Sequence, residues 1–321
     1  MAQIVTFGEL LVEFVAAQVD QRLDAPGIFE GPFPSGAPAI FADQAARQGV
    51  SVEMAGCVGE DAFGDAVIRR LLADGVSVGN IARRRDRPTG TAFVAYRAGG
   101  ERGFVFNIAQ SAAGLLDERA IHPALFEGCR FLHVMGSSLY NPGAILAARA
   151  AVAEARRHAA GISFDPNIRP ELIRSPEAQS ALREMLDRCD VFLPSESDLP
   201  FFYPGLSPRE AIERLLGRPS HQAVVLKRAA RGSWYVDRQR RIEAPAFAVE
   251  EIDPTGAGDC FCGTFLACRV LGMTAEQALI RANAAGALAV LRRGPMEGTS
   301  SRQELDDFLA SRSTGASAGF R

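Results

Sequence analysis

Six short apolar runs, each followed by residues with helical spacing or a turn, constrain this chain more than any other feature. Strand-like runs at 3–8, 52–58, 131–135, 161–165, 191–193 and 223–226 alternate with 3.6-period segments at 37–48, 63–72, 143–158, 176–188 and 208–216. Parallel strands need a crossover between them, and a helix is its usual form. The alternation therefore predicts βαβ units on a mainly parallel sheet with helices on both faces. With 321 residues, 47% of them apolar, the chain can bury such a core without staples. Near the end, Thr274 and Gln277 make a capping-box pattern that opens a helix to about residue 291.

Two segments break this rhythm. Residues 11–34 and 88–107 are β-rich, and "GTAFVAYRAGGERGFVFN" reads as a hairpin turning at Gly99-Gly100. Such strands do not join a parallel core easily, so they are expected to form a small sheet beside it, a lid. The expected organisation is one domain over 1–312, with a disordered small-residue tail at 313–321.

Several function classes fall away on composition. Net charge is −3, and the runs Arg83-Arg84-Arg85 and Arg238 to Arg241 read as solvated loop charge, so no nucleic-acid partner is expected. No run reaches the ~20 apolar residues of a membrane span, and the first residues lack a secretion pattern. The six cysteines show no CxxC and no zinc spacing; they read as reduced, buried thiols of a cytoplasmic protein. Lys227 is the single lysine among 35 basic residues, no GxxxxGK[ST] occurs, and no GxGxxG follows the first strand.

The stretch "DPTGAGDCF", 253–261, carries the chemistry. Gly256, Ala257 and Gly258 lead into an apolar helix, and unpaired N–H groups at a helix start suit phosphate oxygens. Glycines let the main chain approach closely. Asp259 then has two readings: a complement to the helix dipole, or a carboxylate that receives the proton of an attacking hydroxyl. As an ordinary carboxylate it would be ionised at neutral pH.

This stretch resembles the C-terminal signature of the ribokinase-like (phosphofructokinase-B type) carbohydrate kinases. Gly8-Glu9, Gly36, "GCVGEDAFG" at 56–64, "FDPNIRPEL" at 164–172 and "ANAAGALAVLRRG" at 282–294 agree in order, so the resemblance spans residues 3–310. It implies a three-layer α/β/α ribokinase-like fold with a β-sheet lid, and transfer of the ATP γ-phosphate to a sugar hydroxyl with Mg2+. Asp259 matches the general base, and Gly256, Ala257 and Gly258 match the anion hole. Glu13, Gly36, Ala37, Asp165, Asn167 and Arg169 match sugar-side positions. Ser195, Lys227, Gly232 and Asn283 match nucleotide-side positions, Asp198 a magnesium position reached through water, and Asp253 a monovalent-cation (K+) position.

The chain also departs from the family. Ile40 stands where an asparagine is usual, with Asp43 a candidate replacement; Ser195-Glu196-Ser197-Asp198 stands for Asn-x-x-Glu, and Ala229 for a glycine. Asn107 occupies the apparent place of an arginine that faces the carboxylate of keto-deoxy acids. A neutral ketohexose, fructose or tagatose, is therefore the expected substrate. The alternatives are 2-keto-3-deoxygluconate, then ribose or a nucleoside, then an idle sugar sensor on the same fold. Pairing of exposed lid edges predicts a homodimer.

Overall fold

The structure, a computed structural model, describes residues 1–99, 102–218 and 221–317. In chain order its elements begin with β1 (Ile4–Phe7), β2 (Leu11–Ala16), β3 (Phe29–Ser35), α1 (Ala37–Arg47), β4 (Val52–Gly59) and α2 (Ala62–Ala73). Then come β5 (Ser77–Arg84), β6 (Gly90–Tyr96), β7 (Arg102–Asn107), β8 (Phe131–Met135), α3 (Pro142–Arg157), β9 (Gly161–Asp165) and α4 (Pro176–Arg188). The rest are β10 (Val191–Phe192), α5 (Leu199–Phe202), α6 (Pro208–Leu216), β11 (Ala223–Lys227), β12 (Ser233–Asp237), β13 (Arg241–Ala244), α7 (Ala257–Val270), α8 (Ala275–Ala289) and α9 (Arg302–Ser317).

All six expected core strands join one nine-stranded sheet, ordered β13-β12-β11-β10-β9-β8-β1-β4-β5. Seven of these strands, β11 through β5, run parallel, and β12 and β13 add an antiparallel edge. Helices cover both faces. One core packs α1, α7 and α8 around Phe41, Phe265 and Leu266; the other packs α3, α4 and α6 around Phe7, Phe126, Phe164 and Phe192. Both cores are fully buried, which is the three-layer α/β/α arrangement.

Residues 11–34 and 88–107 form one four-stranded sheet, β3-β2-β6-β7. β2 and β6 pair in parallel, although each belongs to its own antiparallel hairpin. Part of the β6–β7 turn, including Gly100, lies outside the described residues. The Thr274 and Gln277 capping box opens α8 as expected. All six cysteines are free and buried.

Two expectations change. Arg83 and Arg84 do not sit in a loop but end the edge strand β5, where Arg83 pairs with Asp65 and Arg84 with Asp86; charge on an edge strand also deters pairing with another sheet. At the other end, α9 continues through Ser317 into the segment expected to be disordered, and 318–321 lie outside the described residues. Among the described residues, no helix is long and apolar enough to cross a membrane.

Candidate active site

The functional side chains follow the C-terminal ends of the parallel strands. β1 leads to Gly8 and Glu9, β8 to Ser137 and Ser138, β9 to Asp165, Asn167 and Arg169, and β11 ends on Lys227. The chain reverses its direction of sheet growth between β1 and β8, and open α/β sheets bind ligands at such a point. There Glu9, 4% exposed, accepts hydrogen bonds from the hydroxyls of Ser137 and Ser138.

A pocket opens over this point, walled by the lid. Glu13, Ser35, Gly36, Ala37, Ile40, Asn167, Arg169, Thr255, Gly256 and Asp259 line it, together with Arg102, Phe104 and Phe106 of β7. Gly36 caps α1 with φ 118, and a Cβ there would run into the Glu9 carbonyl. Gly256 caps α7 in the left-handed region, φ 81, and a side chain would meet the Pro295 carbonyl. Gly258 is less crowded: the nearest atom to a Cβ would be Lys227 Nζ, at 3.7 Å. The lysine ammonium therefore lies against the first turn of α7.

Asp259 is in that first turn, yet makes no cap. Its carboxylate points into the pocket, 7% exposed, with Asn167 Nδ2 3.4 Å away. Burial, reinforced by the charge of Asp165, raises its pKa to about 7, while Lys227 and Arg169 oppose the shift. The ordinary carboxylate value expected from sequence is thus corrected by desolvation. A base poised near neutral pH suits proton acceptance from an alcohol. Glu13 behaves alike: burial and the nearby Asp253 push it to about 8, and its Oε1 has no hydrogen-bond partner.

Asp165 is withdrawn from direct sugar contact. It pairs with Lys227 and accepts from the Cys262 thiol at 3.2 Å. Burial alone would lower the pKa of Lys227, but Asp165, Cys262 and Asp198 hold it above the usual lysine value. Ser195 bridges Lys227 on the neighbouring strand end. Asp198 accepts from the backbone N–H of Ser195 at 2.7 Å and of Ile168 at 3.1 Å. Burial and the Asp165 charge raise its pKa.

Three further readings are corrected. Asn107 does not line the pocket: it is exposed, donates to Thr91, and lines a larger neighbouring cavity of about 520 Å³ that shares Phe106 and Ile108 with it. Strand alternation turns 102, 104 and 106 inward and 107 outward, so the arginine on this strand that does face the pocket is Arg102. The larger cavity contains neither the glycine turn nor Asp259, and carries none of the chemistry. Asp43 does not replace the missing asparagine, because it is buried against Arg70 and Thr299. Asn283 is engaged within the protein, accepting from Ser233 and donating to the carbonyls of Ala244 and Pro245, rather than standing free for a nucleotide base. Gly232, φ 84, is required for a related reason: a Cβ would strike the Ala244 carbonyl.

Sequence reasoning missed Glu9, Ser137, Arg102 and Phe104 as pocket residues. Glu9 was legible as part of Gly8-Glu9; the others depend on strand parity and on contacts far apart in sequence.

A family model described as "pfkB family carbohydrate kinase" matches residues 1–302. The chain belongs to that family. Fructokinase-1 of Oryza sativa subsp. japonica is 31% identical over 300 residues, spanning 91% of this chain and 92% of the rice protein. An E. coli protein provisionally named ribokinase II, in complex with ATP and Mg+2, is 43% identical, with TM-score 0.91 over 97% of this chain and 100% of that one. A doubly substituted fructokinase of Vibrio cholerae O395, with fructose, ADP and potassium ion bound, is 27% identical, with TM-score 0.83 over 96% and 98%. The protein is an ATP-dependent sugar kinase with the ribokinase-like fold.

Proposed function

We propose that this kinase phosphorylates a hydroxyl of a free ketohexose, with fructose as the reference substrate. The observation that carries this reading is Asp259, a pocket-facing carboxylate in the first turn of a glycine-capped helix. With the sugar under the lid, Asp259 accepts the proton of the hydroxyl as its oxygen bonds to the γ-phosphorus and the bond from that phosphorus to the β–γ bridging oxygen breaks, releasing ADP. The Gly256–Gly258 N–H groups and Lys227 face the charge that develops on the phosphoryl oxygens. Arg169 holds the sugar end near Asn167, and Glu13 contributes an unpartnered oxygen to sugar hydroxyls. Fructokinase relatives across nearly the full length support the substrate class.

Magnesium fits the donor set in a limited way. No cluster of three metal-ligating side chains occurs among the described residues. Asp198, which also accepts two backbone N–H bonds, would meet the ion through water, with the nucleotide phosphates as its main ligands. Bound there, it would screen the β- and γ-phosphate charge. For a monovalent cation, Asp253 offers a fully buried carboxylate that pairs with no arginine or lysine in the ion pairs of the described residues. We read the enzyme as cytoplasmic and dimeric through the exposed edges of the lid.

A second reading rests on Arg102 and Arg169, both lining the pocket. Arginine grips a carboxylate with paired, charge-assisted hydrogen bonds, so a keto sugar acid such as 2-keto-3-deoxygluconate is the competing substrate. The test is kcat/KM with ATP and Mg2+ for fructose, tagatose, ribose and 2-keto-3-deoxygluconate. A ketohexose ahead of the rest supports the first reading; the acid ahead by tenfold or more replaces it with the second.

A further inference from the structure

The lid and the phosphate-binding turn are tied together by residues from distant parts of the chain. Tyr96, the last residue of β6, donates its hydroxyl to the Asp253 carboxylate and lies 2.8 Å from the Thr255 hydroxyl. The same carboxylate accepts the backbone N–H groups of Thr255 and Gly294, each at 2.9 Å. Gly294 itself abuts the lid, since a Cβ there would meet the Phe33 ring of β3 at 2.9 Å. Beside it, Arg293 donates to the Ala16 carbonyl of β2 and pairs with Glu30 of β3 at 2.8 Å. The next residue, Pro295, places its carbonyl against Gly256. The lid, loop 293–295 and turn 253–256 therefore meet in one cluster, with Asp253 at its centre.

We propose that Tyr96 is a positioning residue that couples the lid to the phosphate-binding turn. The bond it makes ends on a carboxylate out of contact with water, where a hydrogen bond is worth more than at the surface and costly to leave unmade. Asp253 in turn fixes the N–H of Thr255, the residue before the α7 cap. A movement of β6 that displaces Tyr96 must either break this bond or carry the turn with it. Tyr96 does not line the sugar pocket, so it acts through the turn and not on the substrate. Sugar held under the lid then favours the turn geometry that receives the nucleotide phosphates. By linkage, nucleotide favours the seated lid by the same factor.

Tyr96→Phe removes one oxygen and keeps the ring, and two measurements on the full chain decide the matter. The first needs no ligand: amide hydrogen exchange at Thr255 and Gly294 is expected to quicken roughly tenfold or more, as a hydrogen bond to a buried group is lost from the cluster. Unchanged exchange at both amides overturns the proposal, whatever sugar the enzyme uses. The second rests on the ketohexose reading: the Kd of a non-hydrolysable ATP analogue is measured with and without saturating fructose. Fructose is expected to tighten it about fivefold or more in the wild type, and less than twofold in the variant. Each ligand's Kd alone should stay within about threefold, whereas a merely structural tyrosine would weaken both. Full coupling retained in Tyr96→Phe overturns the proposal. If fructose fails to bind the wild type, the substrate reading falls and the exchange measurement still decides the role of Tyr96.

Discussion

Asp259 is where single-residue physics weighs most. Replacing its carboxylate in Asp259→Asn should leave the fold and nucleotide binding intact and lower kcat by ~10²–10⁴, the usual worth of a general base. Retention of more than about a tenth of wild-type kcat would contradict the assignment. Because its pKa is raised to about 7, kcat/KM should fall about tenfold per unit as pH drops below that value. Lys227, paired with Asp165, opposes this shift. Lys227→Met should therefore move the acidic limb to higher pH, and an unmoved limb would leave Lys227 without that influence. The two glycines of the turn should separate cleanly. Gly256→Ala meets a carbonyl at φ 81 and should cost on the order of 1–3 kcal/mol of stability in urea unfolding. Gly258→Ala has ordinary contact distances around it and should fold normally, with any loss confined to turnover.

At the scale of elements, parity decides what the lid presents. β7 turns Arg102, Phe104 and Phe106 to the pocket over the switch point, and Asn107 lies outside that pocket. Asn107→Arg should therefore change kcat/KM less than about twofold for either a neutral or an acidic sugar, within the range of a surface substitution. Arg102→Met should lower kcat/KM for an acid by roughly tenfold relative to a ketohexose, since it removes charge-assisted hydrogen bonds. A tenfold effect of Asn107→Arg would mean that β7 is a residue out of register. Helix ends obey local rules more simply. Thr274 caps α8 reciprocally with Gln277, and Thr274→Ala should cost about 1 kcal/mol in the same unfolding assay.

Across the whole molecule, the ligand-free site carries a cost that depends on pH. Glu13 and Asp259 have folded-state pKa values of about 8 and about 7, above those of ordinary carboxyls. The folded chain therefore binds more protons than the unfolded chain over the interval between those values and the ordinary carboxyl range. Stability contributed by these groups is complete only below the ordinary carboxyl range, falls steadily as pH rises through that interval, and is gone above about 8. The midpoint of thermal unfolding should consequently be lower at pH 8.5 than at pH 6. Glu13→Gln should narrow that difference, because an amide does not titrate. A flat profile in the wild type, or the same difference in the variant, would show that burial of these carboxyls is relieved in solution.

The parallel sheet, its helical cover, the separate β-rich lid and the glycine turn leading to Asp259 are all legible in the order of residues along the chain. Those features are written in local periodicity and in short-range chemistry: apolar spacing selects helix or strand, capping residues set helix starts, and a glycine pair opens a helix N-terminus. Tertiary structure alone decided which polar side chains remained free to act. Asp43 is taken up by Arg70, Asn283 by the carbonyls of Ala244 and Pro245, and Asp165 by Lys227, because a buried polar group must find partners wherever the fold brings them. It also decided which side of β7 faces the pocket, since a one-residue shift reverses every side chain on a strand. The bond from Tyr96 to Asp253 spans 157 positions. No local pattern specifies such a contact; it exists because two sheets and a helix end converge on one crevice.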